Sequence, residues 1–416
     1  MTTAARSLRY WEFRPDADDR RVVSSVDHYV TFDLDRGGLN NIRMAFEYAV
    51  VVAYVTRRTL VLPPRQPWYL LNFGSIHLGT AGGTTDFSDI FDIDRLARVI
   101  DTISTNEFIR RTRQRLRIPA KFENVFDQTA VPHDHAAHLK AWRVWLYEHT
   151  AVVPWNPLDT IICFPDTASV HATAQLTDSL QDDRQRVEFT HEMVGSPVMH
   201  LPSVDDHRQL GQVAAMLVSS DSELDRQIRR VLRQHVCFHP KIFELAEALL
   251  QGLPVRGFNA MHIRRNDFQY DSSRASADVS IGNVRQLLDT GKALYVATDE
   301  TDVEFLDVLG EQFPVYCWRD FYGVRAGRVA DDIAIPDSLV GPIEMLICAC
   351  ADRFVGTDLS TFSSYITRLR GYIGALDTNA YYHTHENEKP LVPNAQPDQL
   401  RGKNYLREFP VLWRDC

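Results

Sequence analysis

From residue 259 onward, apolar runs of strand length alternate with stretches of helical periodicity, and this leaves the chain few folds to choose from. Asn259–Ile263, Ala293–Ala297, Val315–Trp318 and Arg353–Gly356 are short and apolar, and each closes in polar residues. Helices are predicted between them, over 281–290, 302–312 and 338–351, and a last one begins near 360. Repeated strand–helix–strand units close into a parallel sheet with helices on both faces. In such sheets ligands bind in the crevice beyond the carboxyl ends of the strands. The residues just after each strand are therefore where chemistry is to be sought.

Those residues are not ordinary loop residues. The first strand runs through His262 into Arg264, Arg265, Asn266 and Asp267. The second ends in Thr298, Asp299 and Glu300, and the fourth feeds Thr357 to Ser364. Glu344 is a lone acid in an otherwise oily helix. Arginine, with its planar fork of donors, suits a phosphate better than any other side chain. Ser360 and Thr361 at a helix start can cradle the same anion with hydroxyls and backbone amides. A carboxylate such as Glu344 can accept from both N1–H and the 2-amino group of guanine, a donor pair adenine lacks, and Phe362 can pack on a ribose or base. Each residue also has a plain reading. The charges form surface ion pairs, Thr298 and Ser360 are N-caps, Glu344 faces water and Phe362 is core.

The first half repeats the pattern once. Tyr29–Phe32 is a strand candidate, Asp33 to Asn41 a loop, 42–57 a helix, and Leu60–Leu62 a second strand stopped by Pro63 and Pro64. Gly37 and Gly38 allow the backbone close to a ligand, and the helix N-terminus offers amides and a positive dipole end. The glycines do not form G-x-G-x-x-G, so no dinucleotide fingerprint is present. Further helices are predicted at 136–149, 205–218 and 222–235, and a strand at Ile161–Phe164. His133, His135 and His138 lie close in sequence without a carboxylate in a shared frame, which favours a solvated loop over a metal site.

Both halves thus point to an α/β, GT-B-like architecture, two Rossmann-like domains whose parallel sheets face a central cleft. The expected division is 1–245, an acceptor-side domain, and 246–395, a donor-binding domain. Residues 396–416 would form a tail packing back on the first domain. At 416 residues, two cores are the natural expectation. A net charge of −10 disfavours a nonspecific nucleic-acid binder. The six cysteines form no C-x-x-C pair, so buried free thiols are expected. No run of 18 apolar residues offers a membrane span, and the first 21 residues lack a signal peptide's apolar region. Taken as it stands, the chain reads as cytoplasmic; a removed targeting segment would make it secretory.

Three segments together carry a family resemblance. Gly37-Gly38-Leu39-Asn40-Asn41-Ile42-Arg43, followed by Arg58 to Pro64, resembles the first motif of the GDP-fucose protein O-fucosyltransferase family. His262-Ile263-Arg264-Arg265-Asn266-Asp267 is similar to its H-x-R-x-x-D motif. Phe354 to Thr357, with Ser360-Thr361-Phe362-Ser363, resembles its C-terminal motif. The resemblance implies a GT-B fold binding a GDP-sugar and transfer of fucose from GDP-β-L-fucose with inversion, without a required metal or other cofactor. It implies a protein, peptide or glycan acceptor. Carried over by motif, Asn40, with the loop Gly37, Gly38, Leu39 and Asn41, would approach sugar and diphosphate. His262 and Arg264 would bind the nucleotide, with Arg264 as the catalytic charge on the β-phosphate. Thr298, Asp299 and Glu344 would lie at the nucleoside, and Ser360, Thr361 and Phe362 would complete the diphosphate site. Asp267 would hold the loop or Arg264. Some members place a glutamate base immediately before Gly-x-Asn; here that place is Gly37, preceded by Arg36. Two alternatives stay open: a GDP-sugar transferase acting on a glycan or small molecule, and a non-catalytic nucleotide-sugar binder.

Overall fold

The computed structural model describes residues 21–69, 71, 83–126, 134–153, 160–163, 185–188, 190–203, 210, 217–218, 222–254, 257–266, 268–270, 274–300, 302–321, 335–376, 378–382, 391–393, 408 and 410–413. The chain divides into two compact units at the step from His239 to Pro240. The helix Pro240–Leu250 therefore goes with the second unit.

In the first unit, β1 (Tyr29–Phe32), β2 (Thr59–Leu62), β3 (Thr102–Ser104), β4 (Ala151–Val152) and, after two strands of another sheet, β7 (Val198–Leu201) form a parallel sheet of order β3-β2-β1-β7-β4. The intervening β5 (Thr160–Cys163) and β6 (Gln185–Glu188) pair with β8 (Leu217–Val218) in a small parallel sheet. The loop after β1 leads into helix α1 (Leu39–Thr56), which contains no Gly or Pro and stops where Arg57 turns left-handed, φ 52°. This helix is buried on nearly every side. Helix α2 (His135–His149) packs Trp142, Trp145 and Leu146 against the sheet's Tyr29 and Val198. Of the predicted helix at 205–218, only Leu210 and the β8 pair lie among the described residues.

The second unit is one sheet of order β11-β10-β9-β12-β13-β14: β9 (Phe258–Ile263), β10 (Ala293–Thr298), β11 (Val315–Cys317), β12 (Arg353–Thr357), β13 (Asn379–Tyr382) and β14 (Leu391–Pro393). Every pair is parallel except β13·β14. β9 is flanked by β10 on one side and β12 on the other, so the sheet is doubly wound with its switch point between β9 and β12. Met261, Ile263, Leu294, Val296 and Val355 pack on helices α3 (Ala277–Val284) and α4 (Val303–Gly310). The opposite face meets α5 (Asp337–Ala349) and α6 (Thr361–Tyr372).

Of the tail, residues 408 and 410–413 are described, and they pack on α6. Glu408 forms a fully buried ion pair with Arg368 at 2.8 Å, and the Trp413 ring lies 3.6 Å from the same guanidinium. A Cβ on Gly371 would stand 2.5 Å from the Pro410 carbonyl, so the close approach depends on glycine. Among the described residues, no helix is long and apolar enough to cross a membrane.

Candidate active site

The site is assembled at the carboxyl ends of β9, β10 and β12. The register sets Ala297 beside His262 and Thr298 beside Ile263, so the three polar strand ends arrive at one level. Thr357 stitches two of them together. Its hydroxyl donates to the His262 carbonyl at 2.8 Å and accepts from the Arg264 amide at 3.0 Å. Thr298 does the same on the other side, donating to the Ile263 carbonyl at 2.8 Å.

Asp299 organises the turn that follows β9. Its Oδ2 accepts from Arg264 Nη1 at 2.6 Å and from the Asn266 amide at 3.1 Å, and its Oδ1 accepts from the Arg265 amide at 2.8 Å. Asn266 Nδ2 returns a bond to the Asp299 carbonyl at 2.5 Å. The carboxylate expected at the nucleoside thus accepts from protein donors and holds Arg264. Asp267 itself lies outside the described residues. Arg265 points away to the other face, pairing with Glu300 at 3.1 Å and lying 4.2 Å over the Phe305 ring.

His262 faces α6. Its Nδ1 shares a 2.7 Å hydrogen bond with Ser363 Oγ, and its ring stacks on Phe362 with centroids 4.4 Å apart. Burial first, and then the Arg264 charge, push the imidazole down to about 3, so it stays neutral at physiological pH. This fit requires Gly356, because a Cβ there would meet the Ser363 Cβ at 2.5 Å. Ser360 is the N-cap residue of α6, Thr361 opens its first turn, and Phe362 is half-buried beside Gly341. The preceding Leu359 is left-handed, φ 60°. A non-glycine residue in that conformation is uncommon and marks a turn whose shape is imposed by its surroundings. First-turn helix amides have no intrahelical acceptors and carry the positive dipole end. Arg264 and the start of α6 therefore bring positive potential to the β9/β12 switch point.

Glu344, the acid expected at guanine, lies inside the second unit. It is buried in α5 and accepts a 3.1 Å hydrogen bond from the hydroxyl of Tyr295, a buried β10 residue. Tyr295 stands three residues before Thr298, about 10 Å down the strand from the site. Burial raises the carboxyl to about 8 despite the tyrosine bond, so it is mostly protonated at neutral pH.

In the first unit, Asp35 Oδ1 accepts from the Gly37 amide at 2.8 Å and shapes the loop. A Cβ on Gly37 would fall 2.0 Å from Asn41 Nδ2, so the glycine is needed for this close approach and not for a ligand alone. Gly38 is the N-cap of α1, and Leu39 and Asn40 are buried behind it. Asn40 Oδ1 accepts from Arg43 Nε at 3.3 Å, and Arg43 Nη1 bonds Glu47 at 2.7 Å. Both members of that ion pair are essentially inaccessible. Glu47 is thus occupied by Arg43.

Thr357 and Ser363, which hold the backbone and imidazole of the site, were read from sequence only as part of a motif. Nothing in the apolar run Val198-Met199-His200-Leu201 singled out His200, which ends buried beside Asp33. Among the described residues, no group of three His, Cys, Asp or Glu is arranged to hold a metal ion.

The crystal structure of POFUT1 in complex with GDP-fucose is similar at 14% identity and a TM-score of 0.44, over 86% of this chain and 99% of that one. NodZ alpha-1,6-fucosyltransferase soaked with GDP-fucose gives 13% and 0.40, over 88% and 99%. FUT1 of Arabidopsis thaliana in complex with GDP gives 10% and 0.40, over 92% and 74%. No curated protein sequence matches significantly. The sequence model of one family does, across residues 29–373, from the first residue of β1 to the residue after α6. The chain belongs to the GDP-fucose protein O-fucosyltransferase family and is a glycosyltransferase.

Proposed function

We propose that the protein transfers fucose from GDP-β-L-fucose to a hydroxyl acceptor, a Ser or Thr of a protein or peptide, with inversion at the anomeric carbon and without a required metal. The observation that carries this reading is the Arg264 guanidinium held by Asp299 at the β9/β12 switch point, beside the start of α6. Fucosyl transfer passes through an oxocarbenium-like state in which the C1–O bond to the diphosphate is largely broken. Negative charge then grows on the β-phosphate. A guanidinium fixed before the reaction stabilises that charge without reorganisation cost, and preorganised electrostatics of this kind dominate the rate enhancement of many enzymes. The first-turn amides of α6 act on the same diphosphate. Neutral His262 contributes a ring nitrogen as a hydrogen-bonding group, not a charge. Phe362, stacked on it, offers an apolar face to the ribose or base.

The test is to incubate the protein with GDP-fucose and follow GDP release, with and without a pool of Ser/Thr-containing peptides. Acceptor-dependent GDP release with fucose found on the peptide supports the reading. Tight donor binding with neither hydrolysis nor transfer would mark a non-catalytic binder instead. A parallel thermal-shift series with GDP, UDP and ADP reads base preference, since a ligand at 100 times its Kd stabilises by about 2.7 kcal/mol.

A further inference from the structure

Helix α2 buries one face and leaves the other open. His135, Leu139, Trp142, Trp145 and Leu146 recur at helical spacing and are its buried residues. The opposite stripe holds Ala137, Lys140, Val144, Tyr147 and Glu148, all exposed, with the half-buried Ala141 among them. Val144 is 48% exposed and Tyr147 45%, and the two lie one turn apart on the same side of the helix. Beside them runs a groove of ≈ 390 Å³, walled on its far side by Pro119, Lys121 and Phe122. Among the described residues, Lys140 and Glu148 form no ion pair. The neighbouring helix Thr105–Leu116 satisfies its charges internally or close by, Arg110 and Arg111 with Glu107 and Arg113 with Glu123. An apolar centre flanked by an unpaired charge of each sign points to a partner.

The spacing says which partner. Lys140 stands four residues before Val144 and Glu148 four after it, while Ala141 and Tyr147 stand three before and three after. When two identical helices meet antiparallel across a two-fold axis, each residue comes level with the one equally far on the other side of that axis. With the axis at Val144, Lys140 of each copy lies level with Glu148 of the other, so the opposite charges meet twice. The small Ala141 lies level with the large Tyr147, and Val144 meets its own counterpart. A foreign helix or peptide requires no such symmetry of charge and size.

We propose that the open face of α2 is a self-association surface, on which two copies of the chain pair α2 against α2, antiparallel, with Val144 on the two-fold axis. The Lys140–Glu148 pairs at either end fix the register, and Val144 and Tyr147 of each copy cover the groove of the other. The contact lies within the first unit and does not depend on the transfer reading. A helix pair with one flanking turn is at the small end of specific interfaces, so the dimer is expected at about 10 µM.

Sedimentation velocity of the full chain, from about 1 to 100 µM, reads the dimer directly. Val144→Glu sets two like charges on the axis and is expected to leave only monomer. Lys140→Glu puts glutamate level with Glu148 at both ends, and Glu148→Lys puts lysine level with Lys140. Each alone weakens association by about tenfold or more. Mixing these two variants in equal amounts restores the dimer, because both ends then join opposite charges. The three substituted side chains are exposed, so the near-ultraviolet circular dichroism of the stacked Trp142 and Trp145 stays at the wild-type value and shows the fold intact. A wild-type chain that remains monomeric throughout the range overturns the proposal. So does a dimer that Val144→Glu or the single charge variants leave unchanged, or one that the mixture fails to restore.

Discussion

The Asp299 carboxylate holds the Arg264 guanidinium at 2.6 Å and, with its two oxygens, also ties down the amides of Arg265 and Asn266. One acid therefore sets both the direction of the arginine and the shape of the turn that presents it. Asp299→Asn keeps the shape but removes the charge and one acceptor. The expected cost is about 1–3 kcal/mol of stability, with a fall in kcat that exceeds any change in GDP affinity. Chemical denaturation and steady-state kinetics measure the two. An Asn variant with wild-type values in both would show that the clasp is incidental.

Gly356→Ala tests the packing of β12 against α6. The added methyl would stand 2.5 Å from the Ser363 Cβ and must push that side chain off His262. Overpacking of this kind costs about 1–3 kcal/mol. GDP binding, read by calorimetry, is expected to weaken as well. Unchanged GDP affinity would mean that Ser363 does not position His262 for the ligand.

His262 gives a pH signature. Its folded value of about 3 lies below that of the unfolded chain, so the unfolded state binds the proton between about pH 3 and 6.5. Stability contributed by neutral His262 is present above that window and is lost on acidification through it. Between pH 7 and pH 5 the loss is roughly 2 kcal/mol. Denaturation curves at the two pH values should differ by that much less in His262→Gln. Equal pH dependence in the two proteins would rule out the buried neutral imidazole.

Glu344 slopes the other way. Its folded value of about 8 is raised, so its favourable contribution is complete below the unfolded value and is lost as pH rises toward 8. Glu344→Gln, neutral at every pH, is expected to flatten the decline in stability between pH 5 and 8. It should also leave the order of GDP, UDP and ADP in thermal shift unchanged. Loss of GDP preference would return Glu344 to the guanine.

What the sequence made legible were the places where an apolar run ends in charge, because strand burial and the polar strand end are both local properties. Hence β9, β10 and β12, together with His262, Arg264, Thr298, Asp299 and Ser360, were placed at one edge of one sheet. The partners were not legible. Which acid supports Arg264 depends on the register that sets Thr298 beside Ile263, and that register follows from packing of both sheet faces. The Tyr295 partner of Glu344 was not legible either, because helical periodicity does not say which way one polar residue in an oily helix turns. Arg368 and Glu408 are 40 residues apart, with no local pattern to join them.

The central claim is that Arg264 stabilises the departing diphosphate, and Arg264→Ala tested for GDP release from GDP-fucose addresses it most directly. The prediction is a fall in kcat of about 10²–10³-fold or more, with Arg264→Lys recovering only part of it because a point charge lacks the planar fork. Turnover within about threefold of wild type, a difference of under 1 kcal/mol in the barrier, would contradict the account.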